Sequence, residues 1–378
     1  MTLPPRSLIR ASQVAMQQLA DRNTPLIQNE WYVVAFANEL ARSLIRRTIL
    51  GHHLVMYRTQ SGEPVALHDR CAHRSFPLSA GRLDGDTIVC GYHGMRYDRE
   101  GNCIEVPSQK SCPRGIGVRN YPLVESGPLV WGWMGKGEAD FQKLPDTSWL
   151  AQGKWPYSQG YFHLPANYVS LHENLLDLTH LTFVHAKSFG TPDYASAPYE
   201  CTATDNRFRI TRRVVPTRLP PVWAKPTRIE HDQAARITTS EFVTPGMHVV
   251  EAVFYDCRLP ENARPEFRIR TAHLPTPETN QSTHYFIVHG RDFGHEDPGI
   301  TGFMHEQLFK AFQEDIEALT RLEQVLEDPG EPYYEISVAS DQPSVAMRRY
   351  LKKRALMEMA PAESASAAQQ AVSRIAEI

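Results

Sequence analysis

The chain has 378 residues, a formal net charge of −3 and a hydrophobic fraction of 42%, enough for two or three domains with substantial cores. A charge this close to zero gives no reason to expect nucleic acid or an anionic membrane surface as a partner, and no apolar run reaches membrane-spanning length. The six cysteines are too sparse for a disulfide scaffold, and the first residues lack the apolar core of a secretory signal, so a cytoplasmic location is expected.

Residues 1–27 read as an N-terminal extension with a short surface helix over Ser7–Ala20. From 28 to 145 the pattern is all-β, with short apolar runs at Trp31–Ala35, Leu54–Tyr57, Val65–His68 and Leu129–Met134. Ser61-Gly62, Asp84-Gly85 and Arg99-Glu100-Gly101 supply the turns. This predicts a small β-sandwich with two loops of special composition at one end.

Those loops are Cys71-Ala-His73 and, after an interval of sixteen residues, Cys90-Gly-Tyr-His93. Each offers one thiolate and one imidazole. Zinc is one reading of two sulfurs and two nitrogens, but a two-Cys, two-His finger usually separates its cysteines from its histidines. A Rieske [2Fe–2S] centre needs two cysteines on one iron and two histidines on the other, which two mixed loops can deliver. The remaining cysteines read as reduced, with Cys103–Cys112 as the alternative disulfide or ligand pair.

Residues 138–165, punctuated by Pro145, Trp149, Trp155, Pro156 and Pro165, read as a linker into a second unit over 146–360. A helix is predicted at Asn167–Phe183. Strands follow at Phe208–Val214, Arg236–Val243, His248–Tyr255, Glu266–Thr271 and Thr283–His289, as one antiparallel sheet. A long loop holds Pro216, Pro220, Pro221 and Pro226. A strong helix runs over Gly302–Glu327 and a short one over Ala346–Glu358, and 361–378 is an Ala/Ser-rich C-terminal tail.

Asn174, Asp177 and His180 step by three along the first of these helices and share one face. His185 is five residues beyond His180, a rotation of about 140° on a straight helix. If both imidazoles serve one ion, the helix must end or tighten between them; otherwise they are ordinary histidines of an amphipathic helix. In the late helix Asp315 falls at about −20° from Leu308, in the middle of the apolar stripe, while Glu314 and Glu317 point well away. A carboxylate facing a core needs a cation or a metal, so either an arginine partner or a two-His, one-carboxylate iron site would account for it.

The words CAHRSFPLSAGRL, CGYHGMRYD, NLLDLTHLTFVH, HLPTPETNQSTHYF and FQEDIEAL together resemble the Rieske non-haem iron oxygenases, in particular the vanillate and dicamba O-demethylase branch, across residues 28–330. The resemblance implies an α+β chain: a Rieske domain, then a catalytic domain with an antiparallel sheet flanked by helices, helix-grip-like. It implies one [2Fe–2S] cluster on Cys71, His73, Cys90 and His93, and one mononuclear Fe(II) on His180, His185 and Asp315. It also implies a homotrimer in which Asp177 links His180 to His93 of a neighbouring subunit, with Asn174 beside the iron.

The activity implied is that of an oxygenase consuming O₂ and acting on an aromatic or bulky ring, by oxidative O- or N-demethylation, with ring or methyl hydroxylation of an aromatic acid as the alternative. A Rieske electron carrier without oxygenase activity would leave the second set of ligands unused. No glycine-rich dinucleotide fingerprint opens a helix, so electrons are expected from an NAD(P)H-dependent reductase or ferredoxin, with Arg74, Arg82 and Arg96 as docking charges. Phe242, Val250, Phe254, Phe286, His289, Phe303 and Leu308 are expected to line the substrate pocket, and Arg209, Arg212 or His289 to meet an acidic substrate group.

Overall fold

The computed structural model describes residues 5–112, 114–151, 153–204, 206–327 and 334–360; the tail at 361–378 lies outside them. The N-terminal half is built from ten short strands: Trp31–Phe36 (β1), Ile45–Ile49 (β2), His52–Arg58 (β3), Pro64–His68 (β4), Arg82–Asp84 (β5), Thr87–Val89 (β6), Arg96–Tyr97 (β7), Cys103–Glu105 (β8), Leu123–Ser126 (β9) and Leu129–Trp133 (β10). They form three antiparallel sheets, ordered β1-β10-β9, β2-β3-β4 and β5-β6-β7-β8.

Every residue of β1 and of β10 is buried, and their position as a middle layer explains such unbroken apolar runs. Trp31, Val33, Leu129 and Trp131 point to one core, and Tyr32, Val34 and Val130 to another shared with Leu54, Met56 and Ala66 of β3 and β4.

The C-terminal half is one seven-stranded antiparallel sheet. Its strands are Tyr157–Leu164 (β11), Tyr199–Ala203 (β12), Phe208–Thr217 (β13), Ala234–Thr244 (β14), Met247–Asp256 (β15), Phe267–Pro277 (β16) and Thr283–Arg291 (β17), in the order β11-β17-β16-β15-β14-β13-β12. The α+β reading therefore holds, but β11 and β12 were not foreseen. The segment expected as a linker to residue 165 ends in β11. Both strands are the sheet's edges, where polar, half-buried residues replace the apolar alternation that marks an inner strand.

Side-chain alternation divides this sheet between two cores. On β15, β16 and β17, Met247, Ala272, Leu274, Phe286 and Val288 pack against Trp31 and Trp131 of the N-terminal half. Ala252, Phe254, Ile269, Tyr285 and Ile287 face the other way, where the long helix Pro298–Glu327 lies across them and buries Leu308, Ala311, Phe312, Asp315 and Ile316.

The N-terminal helix Arg6–Met16 (α1) buries none of its residues. Beyond it, however, Ala20 and Ile27 are fully buried against Tyr168, Val169, Met347 and Leu351. The extension thus straps the helix Tyr168–Leu176 (α2) to the last described helix, Gln342–Met359. The proline-rich loop contains a further short helix, Pro221–Thr227 (α3), and the long helix and the last one are α4 and α5.

Candidate metal centres

The two Cys/His loops are built alike. Cys71 donates its backbone N–H to Phe76 O and accepts from Ser75; Cys90 donates to Met95 O and accepts from Gly94. Ser75 and Gly94 both take positive φ, at 60° and 73°. A Cβ on Gly91 would meet Ala80 O at 2.7 Å, so the second loop can close on its neighbour only with glycine there.

The construction puts both thiols inside, each 3% exposed, and both imidazoles at the surface with ring centroids 4.6 Å apart. Tyr97 Oη lies 3.1 Å from Cys71 Sγ, and burial pushes the Cys90 thiol up, with the neighbouring Cys71 thiol adding to the effect. Two buried sulfurs and two exposed nitrogens suit a cluster with an inner sulfur-bound iron and an outer imidazole-bound one.

Arg82 and Arg96 are paired with Asp84, and Arg96 also with Glu105, so their charge is offset within the small sheet. Arg74 makes no ion pair among the described residues. Cys103 and Cys112 are free thiols with Sγ atoms 3.9 Å apart.

In the C-terminal half the predicted single helix breaks at Asp177. α2 ends at Leu176, Asp177 adopts φ −101° and ψ 92°, and a tight 3₁₀ turn runs over Leu178–Thr182. The Asp177 carboxylate caps that turn by accepting from Thr179 N at 2.9 Å. The break removes the geometric conflict between His180 and His185. Their rings now lie 5.2 Å apart, and ligand atoms of His180, His185 and Asp315 all lie within 4.8 Å of one another. His185 Nε2 is 3.2 Å and His180 Nε2 3.5 Å from Asp315 Oδ1.

The remaining ring nitrogens are held. His180 Nδ1 donates to the backbone carbonyl of Asp177, not to its carboxylate. His185 Nδ1 donates to Glu314 Oε2 at 2.8 Å, and Ser188 Oγ donates to the same oxygen. Such partners fix the tautomer and present Nε2 to an ion. Glu314 was projected away from the site; it is reached because the chain after His185 turns back over α4. The rule that a ligating histidine seeks a carboxylate on its second nitrogen could have found it.

Asn174 Nδ2 donates to Asp315 Oδ1 at 3.3 Å, leaving its own buried Oδ1 without a partner. Burial pushes His180 down despite the Asp315 charge. Burial opposes protonation of His185 too, but the hydrogen bonds and charges of Asp315 and Glu314 prevail and raise it. Asp315 is 5% exposed; burial would raise it, yet the bond to His185 and the charges of both histidines hold it below the ordinary carboxylate range. Two imidazoles and one carboxylate within coordination reach of one another, with an orphaned amide oxygen beside them, fit a mononuclear non-haem iron.

A cavity opens directly on this triad. Its walls include Leu178, Leu181, Phe189, Trp223, Arg236, Val250, His273, Leu308 and Phe312. Val250 and Leu308 were anticipated; the other expected lining residues need correction. Phe286 points to the opposite face of the sheet and packs on Phe36. Phe242 lies beyond Thr238 and Ser240 on β14, under His172 and Tyr350. Phe254 stacks behind Trp223, and Phe303 lies against Lys225. His289 is buried against Thr271. Arg212 is consumed by the carbonyls of Tyr194, Ala195 and Ala197 and by Thr179 Oγ1, and Arg209 alternates with inward-facing Ile210 on β13.

Residues 30–122 match the Rieske [2Fe-2S] domain family, and residues 164–357 match the vanillate O-demethylase oxygenase C-terminal domain family. The chain belongs to the vanillate O-demethylase oxygenase family. It is 33% identical over 339 residues to a putative toluene-4-sulfonate monooxygenase iron-sulfur subunit of Comamonas testosteroni, covering 84% of this chain and 93% of that protein. It is 31% identical to the oxygenase component of dicamba O-demethylase from Stenotrophomonas maltophilia, covering 88% and 99%. The crystal structure of dicamba monooxygenase bound to 3,6-dichlorosalicylic acid superposes with a TM-score of 0.82 at 28% identity, covering 89% of this chain and all of that one. Among the described residues no helix is long and apolar enough to cross a membrane.

Proposed function

We propose that this chain is the terminal oxygenase component of a multicomponent Rieske monooxygenase that removes a methyl or similar small alkyl group from oxygen or nitrogen on an aromatic substrate. The observation that carries this reading is the His180–His185–Asp315 triad set at the end of an apolar cavity, in a chain that also carries the Rieske loops. An electron-transfer protein would need the loops and leave the triad without a role.

Cys71, Cys90, His73 and His93 would hold the [2Fe–2S] cluster, and His180, His185 and Asp315 the iron. An iron bound there would supply O₂ activation. The protein's own residues do the rest. The Asp177 carbonyl and Glu314 fix the two imidazoles, Asn174 steadies Asp315, and the apolar wall of Leu178, Leu181, Phe189 and Phe312 keeps bulk water from the reacting centre. Oxidation of the methyl carbon of an aryl methyl ether then releases formaldehyde and a phenol. Hydroxylation that leaves the substituent attached is the second reading, since the same cavity serves both.

Electrons come from NAD(P)H through a reductase or ferredoxin. His73 and His93, exposed beside Arg74, form the entry surface. Asp177, half-buried at the mouth of the 3₁₀ turn, is the exit partner for His93 of a neighbouring subunit in a homotrimer, and the unbridged cysteines accord with a cytoplasmic enzyme.

Reconstitution with a ferredoxin and reductase, NADH and a panel of methoxylated and N-methylated aromatics tests this. Formaldehyde released in step with NADH and O₂ consumed is the expected result. Hydroxylated product without formaldehyde would select the second reading, and a protein with two irons after Fe(II) repletion would select the electron carrier.

A further inference from the structure

Arg236, near the start of β14, is 1% exposed and lines the cavity that opens on the triad. Its guanidinium lies 4.3 Å from the ring centroids of both Tyr194 and Trp223. Among the described residues it makes one hydrogen bond, from Nη1 to Phe189 O at 3.2 Å, and Nε is buried without a partner. It has no ion pair with a described carboxylate. Asp193 influences it through charge without an ion pair, and accepts its own hydrogen bond from Thr217 Oγ1.

A guanidinium carries five N–H donors in one plane, so most of this one's capacity is unspent. Burial depresses it to about 10, which leaves it charged at neutral pH. Arg212 on the neighbouring strand is equally buried and also leaves Nε bare, but four acceptors occupy its Nη atoms and it does not line the cavity. Arg212 is therefore a structural tie, and Arg236 is a cation held in an apolar chamber with no anion supplied by the described protein.

Two aromatic rings lie at cation–π distance from the guanidinium, and the residue lines the cavity, so the donors that no described acceptor occupies are left for a ligand in that cavity. A guanidinium with donors to spare can take a carboxylate or sulfonate in a bidentate grip.

We propose that Arg236 is the specificity-determining residue of the cavity, binding the anionic group of an aromatic carboxylate or sulfonate so that the substituent at the far side of the ring is presented to the His180–His185–Asp315 site. The proposal rests on the oxygenase reading for its purpose, but its test does not depend on turnover.

The holoenzyme is titrated with 4-methoxybenzoate, 4-methoxybenzenesulfonate and the neutral 4-methoxybenzamide, with calorimetry as the readout and quenching of tryptophan fluorescence, to which Trp223 contributes, as a second. Wild type should bind at least one anion about tenfold or more tighter than the amide, as a site built around a fixed charge requires. The tighter anion identifies whether the planar or the tetrahedral group is preferred. Arg236→Gln should bring the anions and the amide within about twofold of each other, and Arg236→Lys should retain part of the preference.

A purely structural arginine would weaken all three ligands together and leave their ratio unchanged. Equal binding of amide and anions by wild type, no measurable binding of either anion, or an unchanged ratio in the variants would each overturn the proposal. The wild-type comparison stands even if Arg236→Gln does not fold. Formaldehyde from a neutral ether without any anion preference would sink Arg236's role while leaving demethylation intact; anion-selective binding without formaldehyde would do the reverse.

Discussion

His185 Nδ1 and Glu314 Oε2 lie 2.8 Å apart, joining the segment that carries the second imidazole to the helix that carries Asp315. Two consecutive acids of α4 thus act on one imidazole, Asp315 at Nε2 and Glu314 at Nδ1. We expect Glu314→Ala to lower iron affinity by about ten- to a hundredfold, the usual effect of removing a carboxylate behind a metal-bound histidine. Iron content after dialysis against a chelator measures it, and Glu314→Gln should recover part of the loss. A Glu314→Ala protein that keeps its iron as wild type does would show that the contact is incidental.

Asp177 does two separable things. Its carbonyl holds His180 and its carboxylate caps the following turn. Asparagine can provide both, so Asp177→Asn should fold and keep both iron centres. It removes the negative charge that the proposed relay would offer to His93 of a neighbouring subunit, and on that proposal turnover should fall on the order of a hundredfold or more, given the usual sensitivity to such outer partners. Stopped-flow reoxidation of the reduced cluster in the presence of substrate and O₂ would locate the loss in electron transfer; reoxidation at the wild-type rate would refute the relay.

Tyr97 Oη lies against Cys71 Sγ and also accepts from Ala72 N. A hydroxyl donated to a ligating sulfur draws electron density from the cluster and favours its reduced state. Tyr97→Phe should therefore lower the reduction potential while leaving the visible spectrum close to wild type. Redox titration followed by absorbance reads the shift directly, and an unchanged or higher potential would contradict the assignment.

His172, His248 and His289 are buried histidines away from the triad, all pushed down by burial: His172 to about 4, His289 to about 3, and His248 well below its ordinary value. Below an ordinary histidine value of roughly 6.5 the unfolded chain takes up protons that the folded chain refuses. Stability is thus fully present above that value and falls as pH drops from there toward the depressed values. The slope is at most about 1.4 kcal/mol per pH unit for each histidine. Urea midpoints measured at several pH values between neutrality and mild acidity should fall steadily, and a flat profile would mean that these groups do not titrate as their burial implies.

The residues that converge at the two candidate centres were legible because each carries a local signal. The cysteines and histidines come in short mixed motifs, and Asp315 is a charge in the middle of an apolar stripe. The inner strands were legible from their apolar alternation. β11 and β12 were not, because an edge strand such as Tyr157–Leu164 presents polar residues that read as loop. The cavity was only partly legible because its lining depends on strand parity relative to a partner layer. Phe286 looks like a pocket residue until its register opposite Leu274 shows that both belong to the other face. Glu314 and Arg236 owe their positions to chain turns and to neighbours far away in sequence, which no local pattern encodes.

The division of β15, β16 and β17 between two cores constrains how this enzyme can change. Residues such as Val250, Ile269, Thr271 and His273 meet the cavity, while their immediate neighbours Val249, Ala272 and Leu274 meet the N-terminal half. Alternate positions along the same strand are thus free to diversify for new substrates while those between them are pinned by the electron-delivering domain. Insertion or deletion of a single residue would exchange the two sets. Substrate range in this chain can drift by substitution within a fixed strand frame, and a library built on alternate positions would sample the chamber without disturbing the attachment of its electron source.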